Sequence, residues 1–291
     1  MSFHPEYPGR RRRFRTIPVR MLVPNFITLL AICAGLTAIR LSTEGRMELA
    51  VAAIVFAAVL DGLDGRVARM IKGQSKFGAE LDSLADFVNF GVAPGLILYF
   101  WQLHELNNVG WIAAMMFAIS GGLRLARFNA TMDDPNKPAF AANYFTGVPA
   151  PAGAITVLLP VYLAFLGMPM PPAALTTAYT LLIAVLMVSR LPVFSGKTVR
   201  MRVPPELVLP VFVAVVFFIA LLIGYPWHIL SACSVLYLLS LPAGWKSYRN
   251  QERRAKAAAA SPATAPASDA EQPFAQAAPE GEQGGRPARL N

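Results

Sequence analysis

The sequence predicts an all-α, polytopic integral membrane protein, a helical bundle of about eight transmembrane helices. Three observations carry this. Of 291 residues, 55% are hydrophobic and only 15% charged, against about 25% charge in a soluble domain, and mean hydropathy is +0.46. Apolar runs recur at the roughly 20-residue length that a helix needs to cross a bilayer, without the alternation of a β-barrel. Lysines and arginines gather between every second pair of runs. The same hydrophobicity excludes disorder over most of the chain. Cys33 and Cys233 both lie in apolar runs, which argues against a disulfide scaffold or a cysteine-based metal site.

A basic N-terminal segment, 1–20, precedes the spans. No cleavable leader is evident, because the first apolar run is long and lacks a small-residue cleavage site. The expected spans are 21–42, 48–67, 86–103, 109–126, 148–167, 171–189, 204–223 and 226–243. With the N-terminus cytoplasmic, 24 of the 26 basic residues fall on one side, leaving only Arg40 and Arg46 opposite. By the positive-inside rule both termini are then cytoplasmic. Trp101, Trp111, Trp227 and Trp245 sit near span ends, as interfacial aromatics do. The membrane domain occupies 21–245. The remaining stretch, 246–291, reads as a basic segment followed, from about 251, by an Ala/Pro-rich disordered cytoplasmic tail. The net charge of +9 points to anionic headgroups or phosphate-bearing substrates beside the spans, with no role for nucleic acid.

Five of the 17 acids lie between positions 61 and 86: Asp61, Asp64, Glu80, Asp82 and Asp86. At 100° per residue, Asp61, Asp64, Gly65 and Ala68 share an arc of about 100°, with Arg69 beside it. After a short basic loop, Asp82, Asp86 and Asn89 share one face of the next helix, so two adjacent helices present two carboxylates each towards one another. Four such groups near the membrane repel, at roughly 2.5–3.5 kcal/mol each at bilayer depth. Divalent cations offset that repulsion, and an all-oxygen set suits Mg²⁺, Mn²⁺ or Ca²⁺ over zinc. Gly65 and Gly78 leave room for a bulky ligand. Arg69 and Lys76 place positive charge where phosphate oxygens would sit. Asn25 and Thr28, just inside the first span, could cap that helix or line a nucleotide pocket. Two other readings stand beside this one: a solvated helix end in which the acids pair with Arg66, Arg69, Lys72 and Lys76, and an ion pathway of a cation-coupled transporter.

Asp61-Gly-Leu-Asp64-Gly65-Arg-Val-Ala68-Arg69, then Gly78, Asp82 and Asp86, matches the pattern D-x-x-D-G-x-x-A-R-x8-G-x3-D-x3-D at all eight fixed positions over 26 residues. In this the chain resembles the CDP-alcohol phosphatidyltransferases. The resemblance implies transfer of a phosphatidyl group from CDP-diacylglycerol to an alcohol, with release of CMP. It implies that Asp61, Asp64, Asp82 and Asp86 hold two divalent ions, with Asp86 also the general base. It further implies that Gly65, Ala68, Arg69 and Gly78 contact the CDP part.

Other stretches are similar to the membrane-embedded bacterial and archaeal phosphatidylserine synthases. These are Pro24-Asn25-Phe-Ile-Thr28, Arg124-Leu-Ala-Arg127-Phe-Asn129, Phe145-Thr-Gly147-Val-Pro149-Ala-Pro151-Ala152, and Ser189-Arg190 to Ser195-Gly196-Lys197. Val148 replaces an expected Leu. The likeness implies L-serine as acceptor, a homodimer and a place in the cytoplasmic (inner) membrane with the active site facing the cytoplasm. Arg124, Arg127, Asn129 and Lys197 are the candidates to hold serine, whose carboxylate suits an arginine. Alternatives within the family are glycerol 3-phosphate, inositol phosphate or choline.

Overall fold

The computed structural model describes residues 22–71, 75–131, 144–194 and 205–260. The chain divides into a large unit, 1–251, and a small one, 252–291. Helices account for nearly all of the described residues, as the composition predicts. Helices α1 (Leu22–Thr43) and α2 (Met47–Met70) are joined by a tight turn in which Gly45 takes a φ of +75°. The face that α1 buries is Pro24, Thr28, Ala31, Gly35, Ala38 and Ser42. That alternation of fours and threes is a left-handed packing seam, built here from small residues that let helices approach closely.

Helix α3 (Lys76–Asp86) runs through a π-helical stretch, Phe87–Val92, into α4 (Ala93–Trp101). The third span therefore begins at Lys76, ten residues before the expected start. Its first turns carry Lys76, Glu80, Asp82 and Asp86, so an apolar-run criterion passes over a segment that is helical and amphipathic. A short 3₁₀ turn (Leu103–Leu106) leads to α5 (Asn108–Ala130). Glycines let α5 lie close to the third span: a β-carbon on Gly121 would sit 3.0 Å from Gly91 Cα, and one on Gly95 2.9 Å from the Ala114 carbonyl oxygen.

The fifth expected span is broken into α6 (Ala150–Val157) and α7 (Leu159–Phe165), Pro160 standing at the start of the second piece. Helix α8 is Ala173–Val188. The all-α expectation needs one amendment, since β1 (Tyr144–Thr146) pairs antiparallel with β2 (Pro192–Phe194). Gly147 ends β1 at φ +79°, and a β-carbon there would meet the Met187 carbonyl oxygen at 2.5 Å. Phe90, Ile97, Leu98, Phe117, Leu158, Tyr162, Ile183 and Met187 fill the core between these helices.

Helix α9 (Pro205–Gly224) has no buried residue in its apolar window, and α10 is Pro226–Ala260. Helix α10 runs on through residues 251–260, consistent with their Ala, Arg, Lys, Gln and Glu content. Of the smaller unit, only this helical end is described. Five helices among the described residues are long and apolar enough to cross a membrane: 22–43, 76–101, 108–130, 206–224 and 226–251. Of the other three expected spans, α2 has the length but carries Glu48, Asp61, Asp64, Arg66 and Arg69, while α6–α7 and α8 are shorter.

Candidate metal and nucleotide site

Helices α2 and α3 bring the signature acids together, and α1 packs against both as the brace between them. One carboxylate oxygen from each of Asp61, Asp64 and Asp82 lies within 4.8 Å of the others. Asp86 is not in that group, but its carboxyl lies in electrostatic range of Asp61 and Asp82. Asp64 is 3% exposed, and its Oδ2 lies 2.7 Å from the donating hydroxyl of Thr28, which also lies 3.0 Å from the Pro24 carbonyl oxygen. The small-residue seam of α1 thus ends by setting Thr28 on a cluster acid. Among the described residues, Asp64 Oδ1 and Asp86 Oδ1 are buried without a hydrogen-bond partner. Among the described residues no lysine or arginine forms an ion pair with any of the four acids. This disfavours the solvated-helix-end reading for Arg66, Arg69 and Lys76, while Lys72 lies outside the described residues. Orphaned carboxylate oxygens converging at this distance, with no His or Cys beside them, fit hard divalent cations.

Next to the acids a cleft of about 270 Å³ is lined by Pro24, Asn25, Thr28, Asp64, Gly65, Ala68, Ser75, Gly78, Ala79 and Asp82. It contains Asn25, Thr28, Gly65, Ala68 and Gly78 of the expected CDP-binding set. Arg69 and Lys76 are exposed and lie outside this lining. The two glycines act differently. A β-carbon on Gly65 would meet no protein atom, so that position opens the cleft; one on Gly78 would lie 2.8 Å from Asn25 Oδ1 and 3.1 Å from Ser75 Oγ. Gly78 lets α3 close against Asn25. Sequence reasoning missed Ser75, whose Oγ accepts the Gly78 N–H at 3.0 Å and caps α3. Its signal was legible, a serine directly ahead of a helix.

The four residues expected to hold the acceptor separate. Arg124 is 8% exposed, lies in electrostatic range of Asp86, and leaves Nε without a hydrogen-bond partner. Arg127 donates from Nη1 to the Val188 carbonyl at 2.6 Å, tying α5 to the end of α8. Asn129 is exposed and donates to Ser83 Oγ at 3.0 Å, tying α5 to α3. Lys197 lies outside the described residues. Asn89, on the π-helical stretch, is 1% exposed with neither amide atom bonded, and faces Gly35 of α1.

Comparison with known proteins agrees with this geometry. Residues 21–195 match the family model described as CDP-alcohol phosphatidyltransferase, and residues 206–242 match CDP-alcohol phosphatidyltransferase 2. The chain is similar to the CDP-diacylglycerol–serine O-phosphatidyltransferase of Mycobacterium leprae, at 41% identity over 80% of this chain and 77% of the relative. It is 38% identical to the protein of that name from Mycobacterium bovis, over 83% and 84% of the two chains. The Helicobacter pylori protein of the same name is 36% identical, over 75% and 88%.

Proposed function

The chain belongs to the CDP-alcohol phosphatidyltransferase family, and from that premise we propose that it transfers the phosphatidyl group of CDP-diacylglycerol to L-serine, giving phosphatidylserine and CMP. The observation that carries this is the convergence of the signature acids on a cleft lined by five of the expected nucleotide-binding residues. The names of relatives aligned over three quarters or more of this chain support serine over glycerol 3-phosphate, inositol phosphate or choline.

Asp61, Asp64, Asp82 and Asp86 would hold two divalent ions, Mg²⁺ or Mn²⁺ with Ca²⁺ also compatible. Such ions, when bound, would supply positive charge that offsets the charge developing in phosphoryl transfer. Thr28 fixes the orientation of Asp64. Asn25, Thr28, Gly65, Ala68 and Gly78 seat the cytidine diphosphate, with Arg69 and Lys76 at its phosphate oxygens. Asp86 takes the proton of the serine hydroxyl. The serine oxygen then forms a bond to the phosphorus next to the lipid, the P–O bond to the cytidylyl phosphate breaks, and CMP leaves. Arg124 faces the serine carboxylate, and Arg127 and Asn129 support that position from α5; Lys197, outside the described residues, stays a candidate for the acceptor from sequence alone.

The protein is a helical membrane protein. We extend this to eight crossings of the cytoplasmic (inner) membrane, with both termini and the acidic cluster on the cytoplasmic side, and to a homodimer. The asymmetry of basic residues supports the orientation, and the unburied apolar α9 leaves surface for lipid or a second copy.

The test is CMP release by purified protein with CDP-diacylglycerol and Mn²⁺ or Mg²⁺. Serine is compared with glycerol 3-phosphate, inositol phosphate and choline. Release that depends on both metal and serine is the expected result. Release with a different alcohol would overturn the acceptor, and no metal-dependent release from folded protein would overturn the reaction.

A further inference from the structure

Helix α1 and the third span run parallel and meet at two places of the same kind. At the first, the Asn25 amide oxygen of α1 lies 2.8 Å from the position that a β-carbon on Gly78 would take. At the second the roles reverse. The Asn89 amide oxygen occupies the position of a β-carbon on Gly35 of α1, with Asn89 Cγ 3.0 Å and Cα 3.4 Å from it. Each helix thus gives one glycine and one asparagine. A glycine Cα–H beside an amide oxygen is a weak contact that recurs where helices lie close. Asn89 is 1% exposed, and among the described residues neither of its amide atoms has a hydrogen-bond partner. A polar residue buried in a packing seam costs stability and fixes register.

The register here is specific. The two contacts lie ten residues apart on α1, from 25 to 35, and eleven apart on the third span, from 78 to 89. Parallel α-helices of equal rise would need equal intervals. The extra residue matches the π-helical stretch Phe87–Val92, whose i→i+5 bonds take up one more residue per turn. Between the two contacts lie Thr28 on α1 and Asp82 and Asp86 on the third span. Thr28 in turn holds Asp64 of α2 at 2.7 Å. The contacts therefore bracket the link between the two pairs of acids.

We propose that Asn89 and Gly35 are positioning residues for the metal site: their contact, with that of Asn25 and Gly78, sets the spacing of α1 from the third span and so the separation of Asp61 and Asp64 from Asp82 and Asp86. Neither Asn89 nor Gly35 lines the cleft, so they act on the acids through the helices alone. A methyl at Gly35 would meet a side chain with no open space to swing into. Helix α1 would then back away from the third span, carrying Thr28 and Asp64 with it. This rests on the metal reading of the acids given above.

The test is Mn²⁺ binding by the full-length chain without CDP-diacylglycerol, read from the electron paramagnetic resonance signal of free Mn²⁺. Gly35→Ala should weaken binding roughly 10- to 100-fold, the range for residues that orient metal ligands. Asn89→Ala leaves a gap opposite Gly35 and should weaken it less, by under about tenfold. In the double variant the methyl fills that gap, with no atom of residue 89 nearer than 3.4 Å, and affinity should return to within about threefold of wild type. The Mn²⁺ concentration for half-maximal CMP release should follow the same order. Unchanged binding in Gly35→Ala, or a double variant no tighter than Gly35→Ala, would overturn the assignment. If Gly35→Ala is not recovered folded, the double variant decides. Binding like wild type supports the assignment; failure to fold or to bind overturns it, since the methyl then meets something other than Asn89. A wild-type chain that binds no Mn²⁺ removes the metal reading and this inference with it, whereas wild-type binding with unaltered variants removes only the positioning role.

Discussion

Thr28 joins the packing seam of α1 to the acidic cluster, and removing its hydroxyl isolates that link. Its Oγ1 lies 2.7 Å from Asp64 Oδ2 and 3.0 Å from the Pro24 carbonyl oxygen. A hydroxyl has one proton, and the shorter, charge-assisted bond takes it. Asp64 is 3% exposed and its other oxygen has no protein partner. Thr28→Val keeps the volume and branching but removes the only side-chain donor that reaches Asp64 among the described residues. Hydrogen bonds to charged groups contribute about 1.5–3 kcal/mol, and at about 1.4 kcal/mol per factor of ten the loss is roughly 10- to 100-fold. Residues that orient a metal ligand have effects in the same range. The expected outcome is a 10- to 100-fold rise in the Mn²⁺ or Mg²⁺ concentration giving half-maximal CMP release, with kcat at saturating metal within a few-fold of wild type. Thr28→Ser keeps the donor and should behave nearly as wild type. A Thr28→Val protein with unchanged metal dependence would refute the reasoning, leaving Thr28 as a hydroxyl bonded to its own helix.

Asp86→Asn keeps the size of the side chain but cannot take the acceptor proton, so CMP release should fall roughly 10²- to 10⁴-fold while equilibrium binding of CDP-diacylglycerol persists; activity within tenfold of wild type would remove Asp86 from the role of base. Gly65→Ala and Gly78→Ala should differ in kind. The first meets no protein atom, so thermal stability holds or rises by up to about 1 kcal/mol from helix propensity while KM for CDP-diacylglycerol increases. The second drives into Asn25 and Ser75 and should lower both melting temperature and activity. Identical behaviour of the two variants would contradict the distinct surroundings of these glycines.

The acidic cluster was legible because helical period is rigid. Once Asp61/Asp64 and Asp82/Asp86 fall at i, i+3 and i, i+4 spacings on two consecutive helices, their convergence needs little else. What was not legible depends on partners far along the chain. The sequence reading placed Gly78 beside a ligand; it lines the cleft, and its β-position also faces Asn25, more than fifty residues earlier. Arg127 and Asn129 read as candidates for the acceptor; their hydrogen bonds to the Val188 carbonyl and Ser83 join segments that no local spacing links. The β1–β2 pair joins two three-residue strands from distant segments, too short to show a period. The start of the third span was misplaced because hydropathy measures contact with lipid, and α3 is polar where it meets the site.

The geometry also bears on why the family signature requires a cation at all. Three carboxylate oxygens within 4.8 Å of one another would repel by at least about 3.5 kcal/mol per pair at an effective dielectric of about 20. Three such pairs sum to roughly 10 kcal/mol, comparable with the whole folding stability of an ordinary domain. Protons or counter-charge must therefore offset it, and none of the described lysines and arginines forms an ion pair with these acids. Arg124 stands near Asp86 alone. An internal salt bridge would offset the repulsion and at the same time block the oxygens. Leaving the acids unpaired keeps them open to a cation drawn from solution, so the repulsion that disfavours the empty cluster is the same feature that suits it to a metal.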